Sequence, residues 1–302
     1  MAKLFWDLKH GRSHVRKTSQ PEHLCLIEDA LAAQEMFLNR KATGLAPDAE
    51  YQFLMFVEHH PVYVITRSDH KKLSELGNKA NFFRPGMDKL PARLHVLPED
   101  RGGSITYHGP GQLVCYMILC EEELAIQSSR YVTPVIPLIE ESIKSFLSSL
   151  GVRGYTTNEL CEITYPHIRE QLISQKIMHV DSTGKSYIKT SAQGIWVIHR
   201  DEAKKIASRG LRRVVRACPE QNVKYFIKYG FAINISTDLR YFDYIYPCGE
   251  DIKMTSVQAI TNAAPPIYQA AQIMAEAFIK TLRELTEKIP VATAMRTEKG
   301  IM

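Results

Sequence analysis

The chain has 302 residues, of which 45% are hydrophobic and 24% are charged, a composition typical of soluble globular proteins. Its formal net charge of +5 is far below the charge density of a histone or a basic arm, and indicates a mixed, solvated surface. A chain of this length buries a sizeable core without disulfides or structural metal ions. Its six cysteines form no C-x-x-C pair, so we expect reduced thiols rather than disulfides or a zinc site.

The first half of the chain is predicted to contain two helices and three buried strands. Apolar residues recur at helical spacing after the start signals Ser19 and Pro21, and Pro61 separates two short apolar runs. Residues 68–98 are polar and are predicted to be rich in loops. The predicted elements are a helix over Pro21–Asn39, strands over Gln52–Val57, Val62–Thr66 and Leu113–Leu119, and a helix over Pro134–Leu150 that Gly151 ends.

The second half is predicted to contain three strands, a long C-terminal helix and two insertions. The strands are expected at Leu160–Ile163, Gln193–Ile198 and Phe231–Ile235, and the helix at Ile267–Leu285. One insertion, residues 164–187, is polar, and the other, around residues 199–228, is rich in Lys and Arg. The basic insertion is compatible with a solvated amphipathic helix or with a docking surface for an acidic partner. Helices and strands mix without regular alternation, which favours an α+β or mixed α/β fold.

No membrane-directing segment stands out in the sequence. The first twenty residues lack the apolar core of a signal peptide, and the longest apolar stretch, residues 51–65, is interrupted by Glu58, two histidines and Pro61. We therefore expect a cytoplasmic protein.

The densest motif is the segment RGGSITYHGPGQL at residues 101–113. Its four glycines and one proline indicate a backbone that turns sharply and approaches another group closely. The segment lacks the Gly-Lys-Ser/Thr of a phosphate-binding loop, yet it carries Arg101, Tyr107, His108 and Gln112 beside the glycines. This combination favours a binding loop over a plain turn.

Two shorter motifs carry nucleophilic or basic groups. Lys189 precedes small residues and a strand-like run, and Cys248 lies between a proline and a glycine, on a tight turn that presents its sulfur. A thiol reacts as the thiolate and needs a nearby cation, base or helix N-terminus for activation. Considered alone, the two residues are equally compatible with a surface lysine and a structural cysteine.

Taken together and in this order, the motifs resemble those of the lipoyl(octanoyl) transferase family. The resemblance is carried by RGGSITYHGPGQLVCYMIL at 101–119, KTSAQGI at 189–195, GFAINISTDLRYFDYIYPCG at 230–249 and MTSV at 254–257, with a weaker match, VEHHPVYVITRS, at 57–68. It implies a single catalytic domain over residues 1–302 with the biotin/lipoate protein ligase fold, a mixed sheet flanked by helices. It also implies transfer of an octanoyl group from octanoyl-acyl carrier protein to a lysine of a lipoyl domain, on 2-oxoacid dehydrogenases or the glycine cleavage H protein, without a metal or cofactor.

The resemblance also implies a role for each matching residue. Cys248 matches the nucleophile that carries the acyl group as a thioester, and Lys189 matches the lysine that stabilises the thiolate and moves its proton. The expected substrate-binding residues are Arg101, Gly102, Gly103, Ser104, Ile105, Thr106, Tyr107, His108, Ala192, Gln193, Gly194, Gly230, Phe231 and Ala232.

Three features depart from the family pattern. Tyr229 stands where the family commonly has His, Val64–Arg67 lacks a glycine, and the stretch between Gly194 and Gly230 is longer than expected. Two alternatives therefore remain open at this point. One is an ATP-dependent lipoate or biotin ligase on the same fold, which does not need the Pro-Cys-Gly nucleophile, and the other is a catalytically weakened binding protein.

Overall fold

The structure is a computed structural model that describes residues 2–7, 12–17, 24–44, 52–77, 82–86, 89–124, 135–189, 192–218 and 221–287. Its strands are β1 (Ala2–Asp7), β2 (Arg12–Lys17), β3 (Gln52–Val57), β4 (Val62–Ile65), β5 (Arg93–Val96), β6 (Thr106–His108), β7 (Gln112–Cys120), β8 (Tyr155–Thr156), β9 (Met178–Val180), β10 (Ser186–Ile188), β11 (Gly194–His199), β12 (Glu202–Cys218) and β13 (Gln221–Asn234). Its helices are α1 (Ile27–Thr43), α2 (Arg67–Leu76), α3 (Val135–Ser149), α4 (Thr157–Cys161), α5 (Pro166–Ser174), α6 (Val257–Thr261) and α7 (Ile267–Glu287).

An eight-stranded sheet with the order β2-β1-β3-β7-β13-β12-β11-β8 organises the fold, and its neighbouring strands are antiparallel. A smaller sheet, β5-β4-β6, contains a parallel pair, and β9 and β10 form a separate hairpin. The predicted α+β class is therefore confirmed, with a central sheet that is antiparallel. Among the described helices, none has both the length and the apolar character needed to cross a membrane.

The apolar run of strand β7 does not alternate with polar residues, and every residue of this strand is buried. Successive side chains of a strand point to opposite faces of the sheet. Leu113 and Met117 pack in the cluster formed with α3 and α7, whereas Val114 and Ile118 pack in the cluster formed with α1. Helices cover the sheet on both faces here, so both sets of side chains are buried.

The basic insertion is a β-hairpin of the central sheet, and the helical interpretation is wrong. Strands β12 and β13 pair with each other over most of their length, and β13 also pairs with β7. Many of its cations bind carboxylates of the same chain. These ion pairs are Arg209–Glu140, Arg212–Glu99, Arg213–Glu121, Arg216–Glu35 and Lys228–Glu35. Because these cations are neutralised internally, the hairpin gives no support to an acidic docking partner.

Several predicted elements have different bounds or types in the structure. Residues 160–163 were predicted to form a strand, but residues 160 and 161 are the end of α4. This helix begins with a capping box at Thr156. The Thr156 hydroxyl accepts the N–H of Glu159 at 3.2 Å, and the Glu159 carboxylate accepts the N–H of Thr156 at 2.6 Å. The polar region 68–98 contains most of α2 and all of β5, so its prediction as loop is wrong there.

The predicted helices at α3 and α7 and the strands β3, β4, β7 and β11 are confirmed within two residues, and the helix at α1 is confirmed with bounds shifted towards the C-terminus. Helix α1 begins at Ile27, and the proposed start signals Ser19 and Pro21 lie outside the described residues. The predicted strand at 231–235 is the end of the much longer β13.

Candidate active site

Cys248 lies in a single 3-10 turn, Pro247–Gly249, that is fixed to the glycine-rich loop. Its N–H donates to the carbonyl of Ile105 at 2.9 Å, and the N–H of Gly249 donates to the carbonyl of Tyr246 at 2.7 Å. Cys248 itself adopts φ +60°, a left-handed conformation that residues with a side chain seldom take. Such strain persists only where the surroundings impose it, and it concentrates at functional sites. The turn therefore holds the thiol in one place.

A buried lysine, Lys205, lies against this thiol. Its Nζ is 3.5 Å from Cys248 Sγ, and its side chain is completely buried on β12. The backbone on both sides is fixed, since the N–H of Lys205 donates to the carbonyl of Lys253 and its carbonyl accepts the N–H of Thr255. Burial lowers the pKa of Lys205 from its ordinary value, while the adjacent Cys248 opposes that shift. Cys248 and Lys205 thus form a close thiol–amine pair.

The structure does not place Lys189, the predicted partner, in this role. Its ammonium pairs with the Glu250 carboxylate at 2.9 Å, and its side chain remains about one-third exposed. The segments Lys189–Gly194 and Lys205–Gly210 share the spacing K-x-x-x-x-G, so the sequence contains two candidates sixteen residues apart. Their environments separate them. On β12 Lys205 is opposite Trp196, which packs with Ala203 in the cluster that contains Cys248, and the small side chain of Ala203 leaves room there for a buried lysine. A β-bulge follows Lys205, so Ala207 packs on the other face of the sheet.

Gly194, a predicted substrate-binding residue, makes that room. A Cβ on Gly194 would lie 2.3 Å from the carbonyl oxygen of Ala207 and 2.6 Å from Cε of Lys205. Thr157 fixes this glycine from the other side, since its hydroxyl lies 3.2 Å from the N–H and 3.3 Å from the carbonyl of Gly194. The close approach of β11 to Lys205 therefore requires a residue without a side chain.

A cavity extends from Cys248 between the glycine-rich loop and the β12–β13 pair. The predicted residues that line it are Arg101, Gly103, Ser104, Ile105, Thr106, His108, Gly230, Phe231 and Ala232. Gly102, Tyr107, Ala192, Gln193 and Gly194 are outside the lining. The ring of Tyr107 instead stacks on Tyr241 with 4.4 Å between centroids, and Ala192 packs in the cluster that contains Cys248.

The sequence analysis missed a third segment of the wall, Ser208, Arg209 and Gly210. The resemblance had assigned this part of the wall to residues 192–194. The assignment changes because the second K-x-x-x-x-G motif, which begins at Lys205, is the one that lies at the thiol. The Arg209 guanidinium binds both the Glu140 carboxylate and the Gln193 side chain, so the two motifs meet at this residue.

His108 of the cavity wall and its neighbour His59 are held neutral. Burial lowers the pKa of His108 to about 3 and the pKa of His59 to about 4. His59 lies 2.9 Å from the carbonyl of Cys25 through Nδ1 and 2.9 Å from the Tyr116 hydroxyl through Nε2, so the neutral ring donates to the carbonyl and accepts from Tyr116. His108 binds the Gln112 side-chain oxygen at 2.6 Å. Both rings are uncharged near pH 7.

Cys248 is buried, so the expectation that its turn presents the sulfur is wrong. The arrangement combines this fixed thiol, a buried amine and a largely apolar cavity that begins at the thiol. It suits covalent capture of a group with an apolar chain by a thiolate, with the amine carrying the proton. Within the described part of the chain, no cluster of His, Cys, Asp and Glu side chains is arranged to hold a metal ion.

Comparisons with known proteins find similar sequences and structures. A model of the family described as the lipoyl protein ligase A/B catalytic domain matches residues 27–279. The octanoyltransferase of Bacteroides fragilis is 32% identical over 207 residues, which cover 68% of this chain and 70% of that protein. The octanoyltransferase of Bacteroides thetaiotaomicron is 29% identical over 258 residues, which cover 84% and 88% respectively. Among solved structures, a bi-partite lipoate protein ligase from Thermoplasma acidophilum is 13% identical, with a TM-score of 0.47 and coverage of 83% of this chain and 79% of that chain.

Proposed function

Since the chain belongs to the lipoyl protein ligase A/B catalytic domain family, we propose that it is an octanoyltransferase of lipoate biosynthesis that works through a Cys248 thioester. The observation that carries this proposal is the 3.5 Å contact between Lys205 Nζ and Cys248 Sγ at the end of the cavity. An ATP-dependent ligase would not need such a nucleophile. The donor is octanoyl-acyl carrier protein, and the acceptor is a lysine of a lipoyl domain.

The first half-reaction moves the acyl group from the carrier to the enzyme. The Cys248 thiolate, stabilised by the Lys205 ammonium, attacks the thioester carbonyl. Backbone N–H groups of the glycine-rich loop stabilise the oxyanion of the tetrahedral intermediate. When this intermediate collapses, the C–S bond to the carrier breaks and its sulfur takes a proton from Lys205. The enzyme is left with an acyl-Cys248 thioester and a neutral Lys205 amine.

The second half-reaction moves the acyl group to the acceptor. The lysine amine of the lipoyl domain attacks the Cys248 thioester, and neutral Lys205 takes the proton that this amine loses. Collapse expels the Cys248 thiolate and regenerates the thiolate–ammonium pair. Burial lowers the Lys205 pKa, which helps one group act first as an acid and then as a base. Aminolysis of a thioester is downhill, so no nucleotide is required.

The test is incubation with octanoyl-acyl carrier protein in the absence of ATP, followed by intact mass spectrometry. We expect one octanoyl adduct on the wild-type chain, its loss when a lipoyl domain is added, and octanoylation of that domain. Cys248→Ala should form no adduct. The buried thiol of Cys115 lines the same cavity, so Cys115→Ala is the matched control and should retain the adduct.

An adduct that persists in Cys248→Ala would overturn the nucleophile assignment. A requirement for ATP, with free octanoate as donor, would instead support the ligase alternative.

A further inference from the structure

Tyr229 lines the cavity, at the position where the sequence departs from the family pattern. Its side chain packs in a cluster with Ile27, Val64 and Leu97, each of which is at most 2% exposed. These residues also line the cavity that contains Cys248. The cavity wall around Tyr229 is therefore largely apolar and buried.

Tyr229 and the thiol lie at different points along β12. Leu211 is opposite Tyr229 in the β12–β13 ladder, and it lies six positions along β12 from Lys205, a distance of at most about 20 Å between Cα atoms at about 3.3 Å per residue. The glycine-rich loop connects the two points, since Cys248 binds the carbonyl of Ile105, and the next residue pairs with Val64, which packs against Tyr229. A chain attached to Cys248 can therefore run along the loop towards Tyr229.

The Tyr229 side chain is fixed at both ends. Its backbone has φ +65°, and its carbonyl accepts the Gln34 side-chain amide at 3.1 Å. Its hydroxyl lies 3.5 Å from the carbonyl of Glu99, and Lys228 beside it binds the Glu99 carboxylate. A ring held in this way does not move aside easily when a longer chain enters.

We propose that the Tyr229 ring is the end wall of the acyl cavity and sets the longest acyl chain that Cys248 accepts. This inference rests on the proposed function, because it assumes that the cavity receives the acyl chain. A smaller residue at this position lengthens the cavity within a shell of Ile27, Val64 and Leu97. Longer chains then bury additional methylenes there, each of which strengthens binding several-fold.

The experiment compares initial rates of adduct formation on Cys248 for carrier thioesters from hexanoyl to tetradecanoyl. We expect Tyr229→Ala to move the preferred chain beyond octanoyl and to raise the dodecanoyl-to-octanoyl rate ratio about tenfold or more. Tyr229→Phe keeps the ring and should keep the wild-type preference. Tyr268→Ala removes an exposed tyrosine of α7 outside the cavity and is the matched control.

Leu97→Ala enlarges the same end without changing Tyr229, so it decides the question if Tyr229→Ala does not fold. A folded Tyr229→Ala or Leu97→Ala protein with the wild-type chain-length profile would overturn the inference. If the wild-type protein forms no adduct with any chain, the proposed function fails, but the cavity is still tested by calorimetric binding of free fatty acids of the same lengths. Equal length limits for wild type and Tyr229→Ala in that assay would overturn the end-wall role independently.

Discussion

Replacing Lys205 with methionine tests the thiol–amine pair directly. Two unit charges 3.5 Å apart interact by about 5 kcal/mol at an effective dielectric constant of about 20. Because the cost of burying the ammonium offsets part of this attraction, we expect the net stabilisation of the thiolate to be about 3 kcal/mol. Without the ammonium the thiolate is less stable, so the midpoint of the alkylation profile of Cys248 should move to higher pH. Methionine fills a similar volume in the buried site.

The assay is iodoacetamide labelling as a function of pH, with the extent of labelling at Cys248 read from its own peptide. Cys161 is partly exposed and serves as an internal reference for the reagent. Lys204→Met changes the neighbouring residue, whose side chain pairs with Glu202, and should leave the midpoint unchanged. Lys189→Met is the discriminating variant and should shift the midpoint much less than Lys205→Met does. The reasoning is refuted if Lys205→Met leaves the profile unmoved, or if Lys189→Met produces the larger shift.

Three other predictions follow from contacts already described. Gly194→Ala should slow acyl transfer at least tenfold and raise the same midpoint, because its Cβ would displace Lys205; unchanged kinetics in a folded variant would contradict this. His59 has a native pKa of about 4 against an ordinary value of 6.5, so its neutral form contributes about 3 kcal/mol of stability above pH 6.5 that is lost as the pH falls towards 4. Urea unfolding of wild type and His59→Gln across that range should show a smaller decline for the variant. Thr156→Ala removes the cap of α4 and should cost about 1 kcal/mol, measurable as a lower Tm, whereas Thr183→Ala in an exposed turn should cost less.

Much of the fold follows from local patterns, and the failures have physical causes. The apolar runs in β3 and β7 predict buried strands correctly, because both faces of the sheet are covered. The β12–β13 hairpin was missed because its Lys and Arg side chains are neutralised by carboxylates from α1, α3 and the loops, and a local pattern cannot contain partners that are distant in sequence. Charge density alone therefore indicated a solvated segment where the structure has the centre of a sheet.

The same limit explains why the sequence pointed to Lys189 and not to Lys205. The sequence identifies the cysteine turn and the glycine-rich loop, but Lys189 and Lys205 carry the same spacing to a following glycine. The difference between them is their environment, since one ammonium meets a partly exposed carboxylate and the other meets a buried thiol. That difference depends on where β11 and β12 lie in the sheet, which no local pattern specifies.

Glycines of the glycine-rich loop, β12 and β13 lie where the backbones approach closely. Gly210 and Gly230 are directly opposite each other in the β12–β13 ladder. A Cβ on Gly230 would lie 1.9 Å from the carbonyl oxygen of Cys115, and one on Gly210 would lie 2.8 Å from the carbonyl oxygen of Gly102. The N–H of Gly102 in turn donates to the carbonyl of Leu211 at 3.4 Å. The glycine-rich loop can therefore lie flat against β12, and the cavity forms between them. These glycines are needed because the loop and the two strands are in close contact. The same loop carries Ile105, whose carbonyl binds the Cys248 turn.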